Sequence, residues 1–139
     1  MFKKILLPVD LSNRHGPALE VAQNLARQNQ AEIVLLHVIE LIAGLSVTEE
    51  KEFYRKLEKT AEGRLKKLEA RIGLQKVPRW RKILFGHRGP TIVRYAKEIG
   101  VDLIVLTAPQ VDVRNPSVGW GSLSYKISIL ARCPVLLVK

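Results

Sequence analysis

The sequence predicts an α/β fold: one domain, residues 1–139, with a five-stranded parallel sheet covered by helices on both faces. Two observations lead there. Short continuous apolar runs alternate with segments whose apolar residues recur every three or four positions, and this alternation persists along the whole chain without a linker or an internal repeat. The length of 139 residues suits a single core, since a chain of this size buries about two-thirds of its unfolded surface.

The first strand is read over Phe2 to Val9, ending at Pro8-Val9-Asp10, and the second over Ala31 to Ile39. Runs this continuous suit strands buried on both faces. Between them Ala18, Val21, Ala22, Leu25 and Ala26 make an amphipathic helix, opened by Gly16-Pro17. A long second helix is expected from about Val47 to Ile72, with Tyr54, Leu57, Ala61, Leu65, Leu68 and Ile72 as its apolar stripe. The third strand is expected over Arg79 to Phe85, after Pro78. The turn Gly86-His87-Arg88-Gly89-Pro90 leads into a third helix with Ile92, Val93, Ala96 and Ile99 on one face, and Gly100 stops it. Val101 to Leu106 reads as the fourth strand. A fourth helix is expected to start near Trp120 to Ser122 and run to Ala131, before a last strand, Pro134 to Val138.

Composition removes several functions. A single cysteine, Cys133, excludes a disulfide scaffold and suits a reduced, cytoplasmic thiol. The apolar stretch Ile33 to Val47 is broken by His37 and Glu40 and falls short of the roughly 20 residues that span a bilayer. Pro8 and Asp10 end the N-terminal apolar run too early for a secretory signal. Lys and Arg number 23 against 13 Asp and Glu, a formal charge of +10, which first suggests a polyanionic partner. With 6% aromatic residues and no reading helix, sequence-specific nucleic-acid binding is not expected. The uncompensated cations Lys76, Arg79, Arg81, Lys82 and Arg88 cluster around the third strand, either guarding a sheet edge or facing an anion.

Ligands of open parallel sheets bind beyond the carboxyl ends of the strands, where strand order switches. The loops to inspect are therefore Pro8–Asp10, Val38–Glu40, Gly86–Pro90 and Thr107–Ser122. No phosphate loop, dinucleotide glycine fingerprint or nucleophile elbow occurs, so a dedicated catalyst is not expected. His15, His37 and His87 lie far apart and read as structural residues, His37 as a satisfied strand histidine. Cys133 reads as packing rather than chemistry, and Trp120 as a packing residue of the last helix.

Pro8-Val9-Asp10, Leu35-Leu36-His37-Val38, Gly89-Pro90 with Ile92 and Ala96, Asp102 to Leu106 and Cys133 to Val138, in this order, resemble the universal stress protein family across essentially the whole chain. The resemblance implies a Rossmann-like fold of the HUP type, a role in the stress response and an adenine nucleotide, ATP or AMP, with Mg as an optional companion and nothing covalently attached. Hydrolysis, where it occurs, would be slow. The family's nucleotide-binding branch carries two glycines three positions apart, nine residues, then Gly-Ser or Gly-Thr. Here that spacing survives as Ala108, Val111, the nine residues Asp112 to Trp120, and Gly121-Ser122.

Both leading glycines are thus replaced, and Pro109 removes a further N–H that could meet a phosphate. Gly121, Ser122, Leu123 and Ser124 remain as an anion cradle at a helix start, or as a simple helix cap. By resemblance, Pro8, Val9 and Asp10 approach the ribose or base, Val38 lines the base pocket with Val9 and Val38 backbone reading the base edge, and Thr107 and Ala108 flank the ribose. Asp10 is equally readable as a loop cap, and Arg114 as a solvated cation rather than a phosphate clamp. The family implies a homodimer through Pro134 to Val138, with the apolar loop Leu41 to Leu45 as a second contact or a lid. Two rivals stand beside the nucleotide reading: an interaction module with a vestigial pocket, and an electrostatic polyanion binder.

Overall fold

The structure, a computed structural model, describes residues 1–74, 76–109, 113–114 and 122–139. Five strands and four helices alternate: β1 (Lys4–Pro8), α1 (Gly16–Asn29), β2 (Glu32–Ile39), α2 (Lys51–Gly73), β3 (Arg79–Phe85), α3 (Arg88–Ile99), β4 (Leu103–Thr107), α4 (Leu123–Leu130) and β5 (Val135–Val138). The strands form one parallel sheet in the order β3-β2-β1-β4-β5. The expected α/β architecture is therefore present, with every expected strand in place.

Two helix starts differ from expectation, those of α2 and of α3, which opens at Arg88 inside the turn expected over Gly86 to Pro90. The second helix begins at Lys51 rather than near Val47, because Ser46 caps a turn of its own: its hydroxyl accepts from Glu49 N–H at 3.0 Å and its carbonyl from Glu50 N–H at 2.9 Å. The fourth helix, expected to start near Trp120 to Ser122, opens at Leu123 behind its Ser122 cap, Trp120 itself lying outside the described residues. Stripe membership also shifts in α1, where Leu19 is buried while Val21 and Leu25 stay half-buried.

Alternation along the buried strands divides the core in two. Ile5, Leu7, Ile33 and Leu35 face α1 and α2, whereas Leu6, Val34, Leu36 and Ile104 face α3 and α4. This division follows from the strand order. Travel along the sheet reverses after β3, so right-handed crossovers put the helices before the reversal on one face and those after it on the other. Alanines 18, 22 and 26 bring α1 close to the sheet, fixing the loop that precedes it.

β1 and β4 sit side by side at the centre, and the chain leaves them toward opposite edges. At their N-terminal ends the Asp102 carboxylate accepts from the backbone N–H groups of Lys3 at 2.7 Å and Lys4 at 3.2 Å. The carboxyl ends of the same two strands are left apart, which is the topological switch point.

On edge strand β3 one of the clustered cations is accounted for. Arg81 reaches α2, donating from Nε to Glu62 at 2.6 Å and from Nη1 to Glu69 at 3.0 Å. That residue is neutralised rather than facing an anion.

Candidate functional site

Two concave regions stand out among the described residues. One, of about 530 Å³, lies between α3 and the α4–β5 turn and is lined by Val93, Arg94, Lys97, Leu130, Arg132 and Cys133 among others, with no carboxylate or hydroxyl on its wall. Burial pushes the Cys133 thiol up, so it stays protonated and unreactive. The other, of about 460 Å³, opens at the switch point and gathers acceptors, donors and cations around an apolar floor. Convergent polar groups of both kinds make the second the candidate site.

Its centre is a chain of three side chains. Asp10 follows β1, Thr107 ends β4, and His15 bridges them: His15 Nε2 lies 2.7 Å from Asp10 Oδ1 and Nδ1 lies 2.7 Å from Thr107 Oγ1. Local sequence explains the placement. Gly16 and Pro17 start α1, so the His15 carbonyl accepts the first helical bond, from Leu19 N–H at 2.9 Å, while its ring turns inward and is 6% exposed. Asp10 also closes a turn by accepting from Ser12 N–H at 2.9 Å. Arg64 of α2 holds that loop by donating to the Ser12 carbonyl at 3.0 Å.

Burial alone would raise the Asp10 carboxyl. Hydrogen bonds from Ser12 and His15, with the His15 charge, outweigh it and hold the group well below the usual carboxylate range. An ionised carboxylate can only accept, so the proton in the 2.7 Å contact belongs to His15 Nε2. Asp10 N–H also lies 3.1 Å from Nε2, but a bare Nε2 would set a lone pair against the carboxylate charge.

Beside this chain, His37 donates from Nδ1 to the Val9 carbonyl at 2.8 Å, leaving its Nε2 as an acceptor on the cavity wall. Val9 N–H donates to Leu36 at 2.8 Å, so of its backbone only a carbonyl lone pair remains. Strand parity turns the Val38 backbone toward β1, two residues past the last paired position, Leu36.

The opposite wall supplies donors. Ser122 caps α4, accepting from Tyr125 N–H at 3.3 Å, and its hydroxyl lies 3.3 Å from that of Ser124. A single cap satisfies one of the first-turn N–H groups, and the others gather at the same end. Arg14 and Arg88 stand at the mouth, each half-exposed and only loosely paired, Arg14 with Asp10 at 3.5 Å and Arg88 with Glu40 at 3.6 Å.

Of the residues the sequence singled out, Pro8, Val9, Asp10, Val38, Thr107, Ser122, Leu123 and Ser124 line this cavity together. Ala108 does not line it, and its N–H is committed to the Val138 carbonyl at 2.8 Å. Gly121 lies outside the described residues, as do Val111, Gly119 and Trp120. Arg114 is not among the lining residues. Sequence reasoning passed over Arg14 and read His15 and His37 only as structural. The available signal was local: a histidine five residues after Asp10 and directly before a Gly-Pro helix start must fold back over that aspartate. Among the described residues no group of three His, Cys, Asp or Glu side chains could hold a metal ion.

The family model described as the universal stress protein family matches residues 1–139. The chain is 30% identical over 149 residues to universal stress protein YxiE of Bacillus subtilis, covering all of both chains. Among solved structures it is similar to hypothetical protein MJ0577, with a TM-score of 0.86, 28% identity, and coverage of 100% of this chain and 96% of that one. At lower identity the fold is shared with a universal stress protein solved in complex with cAMP, at TM-score 0.76, 14% identity and coverage of 99% and 97%. It is also shared with one from Archaeoglobus fulgidus in complex with dAMP, at TM-score 0.75, 19% identity and coverage of 99% and 98%.

Proposed function

The chain belongs to the universal stress protein family, and from that premise we propose that it binds an adenine nucleotide in the switch-point cavity and acts as a regulatory module of the stress response. One observation carries the reading: the cavity has two chemically opposite walls. Asp10, Thr107 and His37 offer acceptors at the strand ends, which suit the hydroxyl and amino groups of a nucleoside. Arg14, Arg88 and the α4 start offer cations and N–H donors, which suit a phosphate. Fold neighbours in complex with cAMP and dAMP support the ligand class.

The lost glycines bear on the phosphate end. Ala108 has spent its N–H on β5, and Pro109 has none, so this stretch cannot cradle a phosphate through its backbone. Among the described residues, Arg14, Arg88 and the Ser122–Ser124 turn are left to bind the anion, with Mg able to assist a di- or triphosphate. At most slow hydrolysis of ATP is expected of such a module, since the sequence holds no phosphate loop and no nucleophile elbow.

We place the homodimer contact on β5, the second edge of the sheet. Leu136 and Leu137 there are 38% and 43% exposed, and Ile129 of neighbouring α4 is 61% exposed. No described helix is long and apolar enough to cross a membrane, and a cytoplasmic location agrees with the unpaired cysteine.

The test is calorimetric titration of AMP, ADP and ATP, with and without Mg. Saturable binding is expected for at least one of them, weakened in Arg14→Ala and Arg88→Ala. Absence of binding at millimolar nucleotide would leave the cavity vestigial and favour an interaction module. Light scattering tests the dimer.

A further inference from the structure

We propose that the groove between α3 and the α4–β5 turn docks an amphipathic helix of a partner protein, one whose apolar stripe is flanked on both sides by acidic residues. The site shares no lining residue with the switch-point cavity and stands independently of the nucleotide reading. The groove measures about 530 Å³, and Val93, Ala96, Val101, Leu130 and Cys133 give it an apolar floor. Its charged lining residues are all cations: Arg94 and Lys97 on α3, and Arg132 on the turn opposite. All three are exposed. Arg94 reaches Glu98 only at 3.9 Å, and among the described residues Lys97 and Arg132 meet no carboxylate.

Charge and shape together select the occupant. On α3 and its cap the groove is lined at Pro90, Val93, Lys97 and Gly100, a spacing of three, four and three that follows one helix face. At the rise of an α-helix this stripe is about 15 Å long. A second helix laid along it presents two to three turns, enough for apolar anchors at i, i+3 or i+4, and i+7. Leu130, 53% exposed on the opposite wall, is the apolar surface such anchors cover. Cations on both rims call for carboxylates on both sides of the anchors. A single-headed amphiphile such as a fatty acid brings one anionic group and leaves one rim unanswered.

The experiment titrates the full chain into a fluorescently labelled peptide of about 14 residues, with leucines at i, i+3, i+4 and i+7 flanked by glutamates, and reads anisotropy. Saturable binding is expected, about tenfold tighter than for the same peptide with lysines in place of the glutamates. Lys97→Glu and Arg132→Glu should each weaken it about fivefold. Lys82→Glu, on the opposite edge of the sheet, changes the net charge equally and should leave the affinity within about twofold. Bound peptide should also slow alkylation of Cys133, the single thiol, which reports where it sits. Thermal melts check that each variant folds, and the comparison of the two peptides is read on wild type alone. Absence of saturation, equal binding of both peptides, or equal weakening by Lys82→Glu overturns the inference. So does displacement of the peptide by equimolar dodecanoate, which would make the occupant a single-headed amphiphile.

Discussion

The hydroxyl of Tyr54, one turn into α2, donates to the carbonyl of Leu45 in the loop that leaves β2. The same oxygen accepts from Ile42 N–H at 3.0 Å, so one buried side chain closes the loop from both ends. Its ring is 1% exposed and meets Phe53 and Phe85 edge-on at centroid distances of 5.3 and 6.0 Å. The loop that the sequence offered as a lid is thereby tied back to α2. None of Leu41 to Leu45 lines the switch-point cavity.

Tyr54→Phe removes both hydrogen bonds and leaves two loop backbone groups to find water. A loss of roughly 1–2 kcal/mol is expected, read as a lower urea midpoint at unchanged slope. Nucleotide affinity should not change, since the loop is not part of the cavity wall.

Gly86 fixes the turn between β3 and α3. Its φ is +149°, and a Cβ there would meet Thr91 Oγ1 at 2.6 Å. Gly86→Ala should cost roughly 1–3 kcal/mol through backbone strain and collision. Adding Thr91→Ala relieves the collision alone, so the double variant should be more stable than the sum of the two losses implies.

Much of this was legible in the sequence. The central strands β1, β2 and β4 were visible because they are buried on both faces and so read as unbroken apolar runs, as in Ile5-Leu6-Leu7, whereas edge strand β3 carries Arg79, Arg81 and Lys82 and was read after Pro78. The pocket residues after β1 and β4 followed from topology. What stayed hidden depends on pairs far apart in the chain. Arg81 looked uncompensated because its partners, Glu62 and Glu69, sit in α2, and nothing local tells which cation meets which carboxylate. Thr107 and His15 are 92 residues apart, so their contact exists only once β1 and β4 are neighbours. The charge excess accordingly changes meaning: of the cluster around β3 only Arg88 lines the cavity, and Arg14 joins it there.

Acid should expose the Asp10 network. Because the folded carboxyl is held below its unfolded value of about 3.9, its contribution is complete above that pH and disappears as pH falls through the folded value. The stability gap between wild type and Asp10→Asn, measured by urea unfolding from pH 5 to pH 2, should shrink as pH falls below about 4. A gap that stays level or widens below pH 4 would contradict the assignment of Asp10 as an ionised acceptor.

The central claim is the location of the ligand, and amide chemical shifts read it residue by residue. On titrating AMP into the isotopically labelled protein, the account expects saturable shifts at Val9, Val38, Thr107 and Ser124 around the switch point. No shift at millimolar AMP, or shifts confined to Val93, Lys97 and Leu130 in the groove at the far end of the strands, would contradict it.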